Sequence, residues 1–264
     1  MSQFLTDYPR YAWQMLTGNR LKGELDSAAE RQRDIEPYLD CRGPLRVLDL
    51  ANGRLRPQYA LLRAAGHQVA GIDLVNRPPR TKTDLAYVAA RRIYTWRLGL
   101  PAKASDTSML TCGNVAALPF PDNSFDLVTS VAAFEHFLDV PAVVAELHRV
   151  VRAGGLLWIS IHLFTSPSGG HNLHFTGYPV QSVPRGVDPW DHLRARRLPF
   201  HVPLNEWRKD QYLEAFARHF EILKHYCRIR EGTALLTPEL EAELSAYSRD
   251  ELTCKAYAIV ARKR

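Results

Sequence analysis

The feature that most constrains this chain is the regular alternation of short apolar runs with amphipathic stretches between Arg46 and His162. Five runs have the length and Val/Ile/Leu content of strands buried on both faces: RVLDL (Arg46–Leu50), QVAGIDL (Gln68–Leu74), SMLTCGN (Ser108–Asn114), FDLVTSVA (Phe125–Ala132) and LLWISIH (Leu156–His162). The segments between them read as helices. Pro57 and Gly66 bracket one of them, since proline suits a first helical turn and glycine a stop. Pro78-Pro79 forms a hard break before a second helix over Asp84–Leu98. Val140, Val143, Val144, Leu147, Val150 and Val151 form a single stripe on a third, which Gly154-Gly155 is expected to end. Strands separated by helices pair in parallel, and the helices then cover both faces of the sheet. Beyond Glu206–His219, which reads as helical, Phe220–Ile229 and Thr253–Arg262 supply two more strands around an acidic helix near Pro238–Tyr247. The expected fold is an α/β, doubly wound, mostly parallel seven-stranded sheet.

The 264 residues suit one such domain with additions. Residues 163–204, rich in Pro, Gly, His and aromatics, are expected to be a loop-rich insertion at the active site. Cys41, Cys112, Cys227 and Cys254 have no ligand-like spacing and read as buried thiols of a reducing compartment. No secretory signal and no membrane-length apolar run appears, so a cytoplasmic location is expected. A net charge of +6 is a mild excess. Its clusters at Arg91-Arg92, Arg194-Arg196-Arg197 and Arg208-Lys209 read as solvated faces, or as attraction for an anionic small molecule. No nucleic-acid motif accompanies them.

Five segments then occur in a telling order: VLDLANG (Val47–Gly53), GID (Gly71–Asp73), CGNVAALPFPDNSFDLV (Cys112–Val128), FEHF (Phe134–Phe137) and ELHRVVRAGG (Glu146–Gly155). Together they resemble the class I S-adenosylmethionine-dependent methyltransferases, in the branch with an extended LPF-D-FD block, over about residues 45–162. The resemblance implies the Rossmann-like methyltransferase fold, S-adenosyl-L-methionine as cofactor, and residues 1–42, with Tyr8, Tyr11 and Trp13, as an N-terminal helical lid over it. It places Asp49, Ala51, Asn52 and Gly53 at the methionine arm, Asp73 and Leu74 at the ribose, Asn114 and Val115 at the adenine, and Ser130 and Val131 beside the sulfonium. Physical reasons support these positions: a glycine lets backbone amides approach a ligand, a carboxylate accepts from two hydroxyls, and ligands of open α/β sheets bind at the carboxyl ends of the strands. Asn114 stands where the family usually has Asp, and it also reads as a loop cap. Asp126 matches the family's structural acid. The family's D-x-G-x-G-x-G loop is altered, with Ala51 and Leu55 replacing its first and third glycines and Arg54 between. Either the loop keeps its role, with Arg54 reaching a carboxylate, or the site serves something other than methyl donation.

Histidines crowd the predicted catalytic edge. His162, His171 and His136 are the candidate catalytic residues, because imidazole can take the proton that methylation of a hydroxyl or amine releases. His174, His192 and His201 lie in the same insertion, and Phe175, Tyr178 and Trp190 read as an acceptor pocket or as the insertion's own core. Convergence of His171 and His174 with Asp191 or His192 on an ion is conceivable, but no helix fixes the spacing, so no metal is assigned. The expected function is methyl transfer to a small-molecule acceptor such as a natural-product or sugar-like intermediate. The alternatives are a non-methylating cyclisation or elimination using the same cofactor, and a degenerate binding protein.

Overall fold

The computed structural model describes residues 18–40, 43–171, 187–200 and 202–264. Tyr8, Tyr11, Trp13, Cys41, His174, Phe175, Tyr178 and His201 lie outside them. Seven strands form one sheet in the order β3-β2-β1-β4-β5-β7-β6. They are β1 (Arg46–Leu50), β2 (Gln68–Ile72), β3 (Leu110–Thr111), β4 (Phe125–Val131), β5 (Val151–His162), β6 (Phe220–Arg230) and β7 (Cys254–Lys263). The pairs from β3 to β5 are parallel, whereas β7 runs antiparallel to both β5 and β6. The helices are α1 (Gly18–Ile35), α2 (Pro57–Ala64), α3 (Lys82–Arg97), α4 (Val140–Val150), α5 (Lys209–Ala217), α6 (Pro238–Glu243) and α7 (Arg249–Thr253).

The periodicity explains most of this and mistakes some edges. The valine stripe of α4 is buried at Val140, Val143, Val144, Leu147 and Val150. Gly154-Gly155 does not end that helix. It stops at Val150, because Val151 is already extended and pairs with Phe125, and Gly154, with φ +73°, sits inside the irregular start of β5. β3 shrinks to two residues because Ser108 is spent on a turn around Asp106, which accepts from its amide and its hydroxyl. The acidic helix near residue 238 is two short helices, since Ser248 begins a new one with a reciprocal cap from Glu251.

Two apolar layers sandwich the sheet. Leu48, Leu50, Val128, Ile159 and Ile259 pack with α4 and α5 on one face, and Val47, Leu127, Trp158 and Val260 pack with Ile35, Tyr59 and Leu62 on the other. The second face is closed by α1 through a buried carboxylate. Asp34 accepts from Trp158 Nε1 at 3.0 Å, Lys224 Nζ at 2.6 Å and the Tyr226 hydroxyl at 2.6 Å.

The insertion is more firmly packed than its composition suggests. Leu163 and Ser166 are fully buried. Trp190 joins Leu236, Leu244 and Leu252 in a separate cluster and donates to the carbonyls of Thr165 and Leu252, so it builds the loop's core rather than an open pocket. The basic clusters are largely neutralised locally: Arg194 pairs with Glu243, Arg196 with Glu206, Arg197 with Asp188, Arg208 with Glu251 and Lys209 with Asp250. Of the cysteines, Cys254 is buried, Cys227 is half-buried and Cys112 is exposed, which corrects the expectation of buried thiols for Cys112. Among the described residues no helix is long and apolar enough to cross a membrane.

Candidate active site

A hollow of about 360 Å³ opens at the carboxyl ends of β1 and β4, the edge where an open parallel sheet binds its ligands. Asp49, Ala51, Asn52 and Gly53 line it from the loop after β1, Val131 and Ala132 from the end of β4, and Arg20 and Glu24 from α1. The loop keeps a tight shape despite its missing glycines. Ala51 adopts φ +53° and Gly53 φ +66°, and Arg56 enters α2 at φ +56°, so two non-glycine residues hold left-handed conformations. Leu55, which stands where the resembled loop has its third glycine, is not among them.

Several polar atoms at this hollow are buried and unsatisfied. Asp49 Oδ2 and both polar atoms of the Asn52 side chain have no hydrogen-bond partner among the described residues. Burial pushes the Asp49 carboxyl up to about 7, against the attraction of Arg31, with Glu24 and Asp73 adding repulsion. Burial raises the Glu24 carboxyl too, and lowers the Arg31 guanidinium to about 10. Such orphaned groups are costly in a dry site unless a ligand meets them. A carboxylate asks for a cation or donor, and an amide for one donor and one acceptor. The ammonium and carboxylate of an amino-acid arm match that set.

Asn52 is held by a close approach of the next strand. A Cβ on Gly71 would strike Asn52 Nδ2 and lie 2.6 Å from Leu110 Cδ2. Gly71→Ala is therefore expected to displace the Asn52 amide and to cost about 1–3 kcal/mol through overpacking. A fall in melting temperature accompanied by weakened cofactor binding is the expected pair of readings.

The adenosyl half of the predicted set lies apart from the hollow. Asp73 at the end of β2 accepts from Gly53 N at 2.8 Å and Val75 N at 2.9 Å, so it ties the β1 loop to the β2 loop. Leu74 is 70% exposed. Asn114 accepts from Ala116 N at 3.0 Å, making it the cap of its own turn, and Val115 packs in the core. Ser130 is fully buried and donates to Leu50 O, so its side chain reaches no cavity. Arg54 lines the hollow as well, pairs with Asp84 at 3.0 Å and stacks on Tyr87, which also lines it. Asp126 is structural: it accepts from Arg46 and Arg152 at the strand's entry end.

Beyond Ala132 the chain enters a short 3-10 turn, Phe134–His136, which carries the second half of the site. The three candidate histidines meet here. The His171 ring centroid lies 4.7 Å from that of His162 and 4.8 Å from that of His136. Glu135, which sequence reasoning left without a role, stands among them at 1% exposure. Its Oε2 accepts from His162 N, while Oε1 has no hydrogen-bond partner among the described residues and lies 3.9 Å from the Nε2 atoms of His136 and His171. Burial drives the Glu135 carboxyl up to about 8, His171 down to about 3 and His162 well below its usual value. At neutral pH these two imidazoles are uncharged. His192 is not in this group; its Nε2 meets Phe164 O at 2.7 Å, and Asp191 accepts from Leu198 N. The signal for Glu135 was its place beside His136 directly after the strand that borders the site.

Residues 48–159 match a family model described as a methyltransferase domain. The chain is 32% identical over 157 residues to the demethylmenaquinone methyltransferase of Thermus thermophilus, covering 58% of this chain and 63% of that protein. It is 28% identical over 165 residues to the 27-O-demethylrifamycin SV methyltransferase of Amycolatopsis mediterranei, covering 62% of this chain and 55% of that one. The chain thus matches less than two thirds of the length of these relatives. Among solved structures, an S-adenosylmethionine-dependent methyltransferase from Mesorhizobium loti superposes with a TM-score of 0.51 at 20% identity, over 88% of this chain and 96% of its own. The geranyl diphosphate C-methyltransferase of Streptomyces coelicolor gives 0.53 at 16%, over 89% and 79%. These two likenesses establish the fold. The matched segment runs from β1 to β5 and so includes the loop after β1, the end of β4 and the 3-10 turn that build the site.

Proposed function

We propose that this protein transfers the methyl group of S-adenosylmethionine to a small organic acceptor. The observation that carries the reading is the set of unsatisfied buried atoms on Asp49 and Asn52 at the carboxyl edge of the sheet. Asp49 and Asn52 would hold the amino-acid arm and Asp73 the ribose. Leu74, Asn114 and Val115 would flank the adenine, with the Asn114 carbonyl keeping one lone pair beyond its bond to Ala116. Bound there, the cofactor supplies an electrophilic methyl on sulfur. The protein's task is then to align donor and acceptor and exclude water. His136 is the member of the histidine group best placed to take an acceptor proton. Its Nδ1 donates to Pro203 O at 2.9 Å, which leaves Nε2 with a lone pair, and its side chain is 33% exposed. The relatives named for demethylmenaquinone and demethylrifamycin fit an acceptor of natural-product size bearing a hydroxyl or an activated carbon.

Calorimetry with S-adenosylmethionine and S-adenosylhomocysteine tests the binding, and conversion of one to the other in the presence of quinol and polyketide acceptors tests the transfer. Absence of binding to both would sink the reading. Asp73→Ala is expected to weaken cofactor binding by about 2–4 kcal/mol, or roughly 30- to 1,000-fold, because two charge-assisted bonds to ribose and the Gly53 tether go together. An unchanged Kd would refute the ribose assignment.

A further inference from the structure

Beside the cofactor hollow lies a set of ligand atoms that methyl transfer by itself does not require. Glu135, His162 and His171 each offer one oxygen or ring nitrogen, and these atoms all lie within 4.8 Å of one another. Donor atoms around a first-row ion sit ~3–4 Å apart when each bond is ~2.0–2.2 Å; Glu135 Oε1 and His171 Nε2, 3.9 Å apart, already meet that spacing, and the widest pair would close by about an ångström on binding. Glu135 is buried and its Oε1, like His171 Nε2, has no hydrogen-bond partner among the described residues. Ordinary packing leaves such atoms satisfied.

The His162 ring is also tethered from one nitrogen, as a ligand's ring is. Ser168 Oγ donates to Glu231 Oε1, so toward His162 Nε2, 2.9 Å away, it acts as acceptor. That fixes the proton of His162 on Nε2 and leaves the lone pair on Nδ1. Lys255 Nζ, 3.2 Å from Ser168 Oγ and 3.0 Å from Glu231 Oε2, balances the carboxylate behind the ring. A metal-bound imidazole is usually held in this way by donation from its other nitrogen. Two imidazoles and one carboxylate on a single face, with the remaining positions open, suit a divalent transition ion better than magnesium, which prefers oxygen.

We infer that Glu135, His162 and His171 bind one divalent transition-metal ion whose open positions face the methyl acceptor. There it would take an acceptor oxygen, draw its proton toward release to His136, and hold that oxygen near the end of β4. The inference about the acceptor rests on the methyl-transfer reading; metal binding itself does not, so the two can fail separately.

The test uses the full chain stripped with chelator and then loaded with Co²⁺, followed by its visible absorption and by elemental analysis after gel filtration. One cobalt per chain is expected, displaced by Zn²⁺ and not by Mg²⁺. Glu135→Gln and His171→Ala should each lower cobalt affinity at least tenfold, while His225→Ala, on the far β6 strand, should leave it unchanged. Circular dichroism separates loss of site from loss of fold, and the near-isosteric Glu135→Gln guards against the latter. No cobalt retained by the wild-type chain, or equal retention in both site variants, overturns the site. One cobalt bound with S-adenosylmethionine affinity intact, yet no effect of metal on transfer to any hydroxyl acceptor, overturns the acceptor role alone.

Discussion

Cofactor binding is expected to release a proton below neutrality and to tighten as the pH rises toward 8. In the free protein Asp49 is fully buried and its carboxyl is pushed up to about 7, chiefly by loss of water. Three charged groups act on it: Arg31 from α1 lowers the value, and Glu24 and Asp73 raise it. A bound ammonium at Oδ2 would favour the ionised form, so binding and deprotonation are linked. Each pH unit below the free-protein value then costs up to about tenfold in affinity, or ~1.4 kcal/mol. The free protein has the opposite slope. Because the native carboxyl holds its proton at pH values where the unfolded one, near 3.8, has lost it, stability falls as pH rises from about 4 to about 7. The Asp49 contribution across that window is on the order of 4 kcal/mol. Calorimetry in two buffers of different ionisation enthalpy counts the protons, and thermal melts with and without cofactor follow the stability. Asp49→Asn should bind more weakly and flatten both profiles. Binding that exchanges no proton at pH 6 would remove Asp49 from the amino-acid arm.

The fold was legible because each layer repeats one signal. Buried parallel strands read as apolar runs and the α4 stripe as a buried helix face, so β1 to β5 and their parallel pairing follow from local pattern, while their order in the sheet comes from the structure. The loop positions were legible for the same reason, since a strand's end marks where backbone and ligand meet. What the sequence hides is long-range. Asp34 meets partners 124, 190 and 192 residues away, and no local spacing announces them. Likewise Arg54 pairs with Asp84, the capping acid of α3 thirty residues on, which its place in the β1 loop does not announce. Glu135 was overlooked because, just beyond the fourth strand, the titratable His136 beside it drew the catalytic role. Only long-range packing, with His162 and His171 against the 3-10 turn, shows the carboxyl buried and one oxygen unmet. Local rules locate the strand ends well; they do not reveal which polar atoms the finished packing leaves without partners.

The largest loss of stability is expected from Arg228→Ala. The Arg228 side chain is 3% exposed and starts on β6, yet its three nitrogens all serve other elements. Nε donates to Glu30 Oε2 at 2.6 Å and NH2 to Ser27 Oγ at 2.9 Å, both on α1, while NH1 donates to Ser160 Oγ at 2.7 Å on β5. The guanidinium also lies 5.0 Å from the Trp158 ring centre. Truncation strips three acceptors of their donor and uncovers one face of that tryptophan. Glu30, 25% exposed, can turn to water, which moderates the penalty, whereas the buried Ser27 and Ser160 hydroxyls have less recourse. A cost of about 3 kcal/mol follows, toward the lower end for a broken buried pair, and a fall in melting temperature of roughly 6–12 °C for a chain of this size. Function should suffer with it, because α1 carries Glu24 to the cofactor hollow and Gln58 Nε2 holds Glu24 O at 3.0 Å. Arg228→Lys keeps the charge but cannot serve three acceptors in a fixed fork, so it should fall between the two. A variant that melts like the wild type and binds cofactor equally well would mean that the Asp34 cluster alone seats the helix, and that α1 reaches the hollow without help from β6.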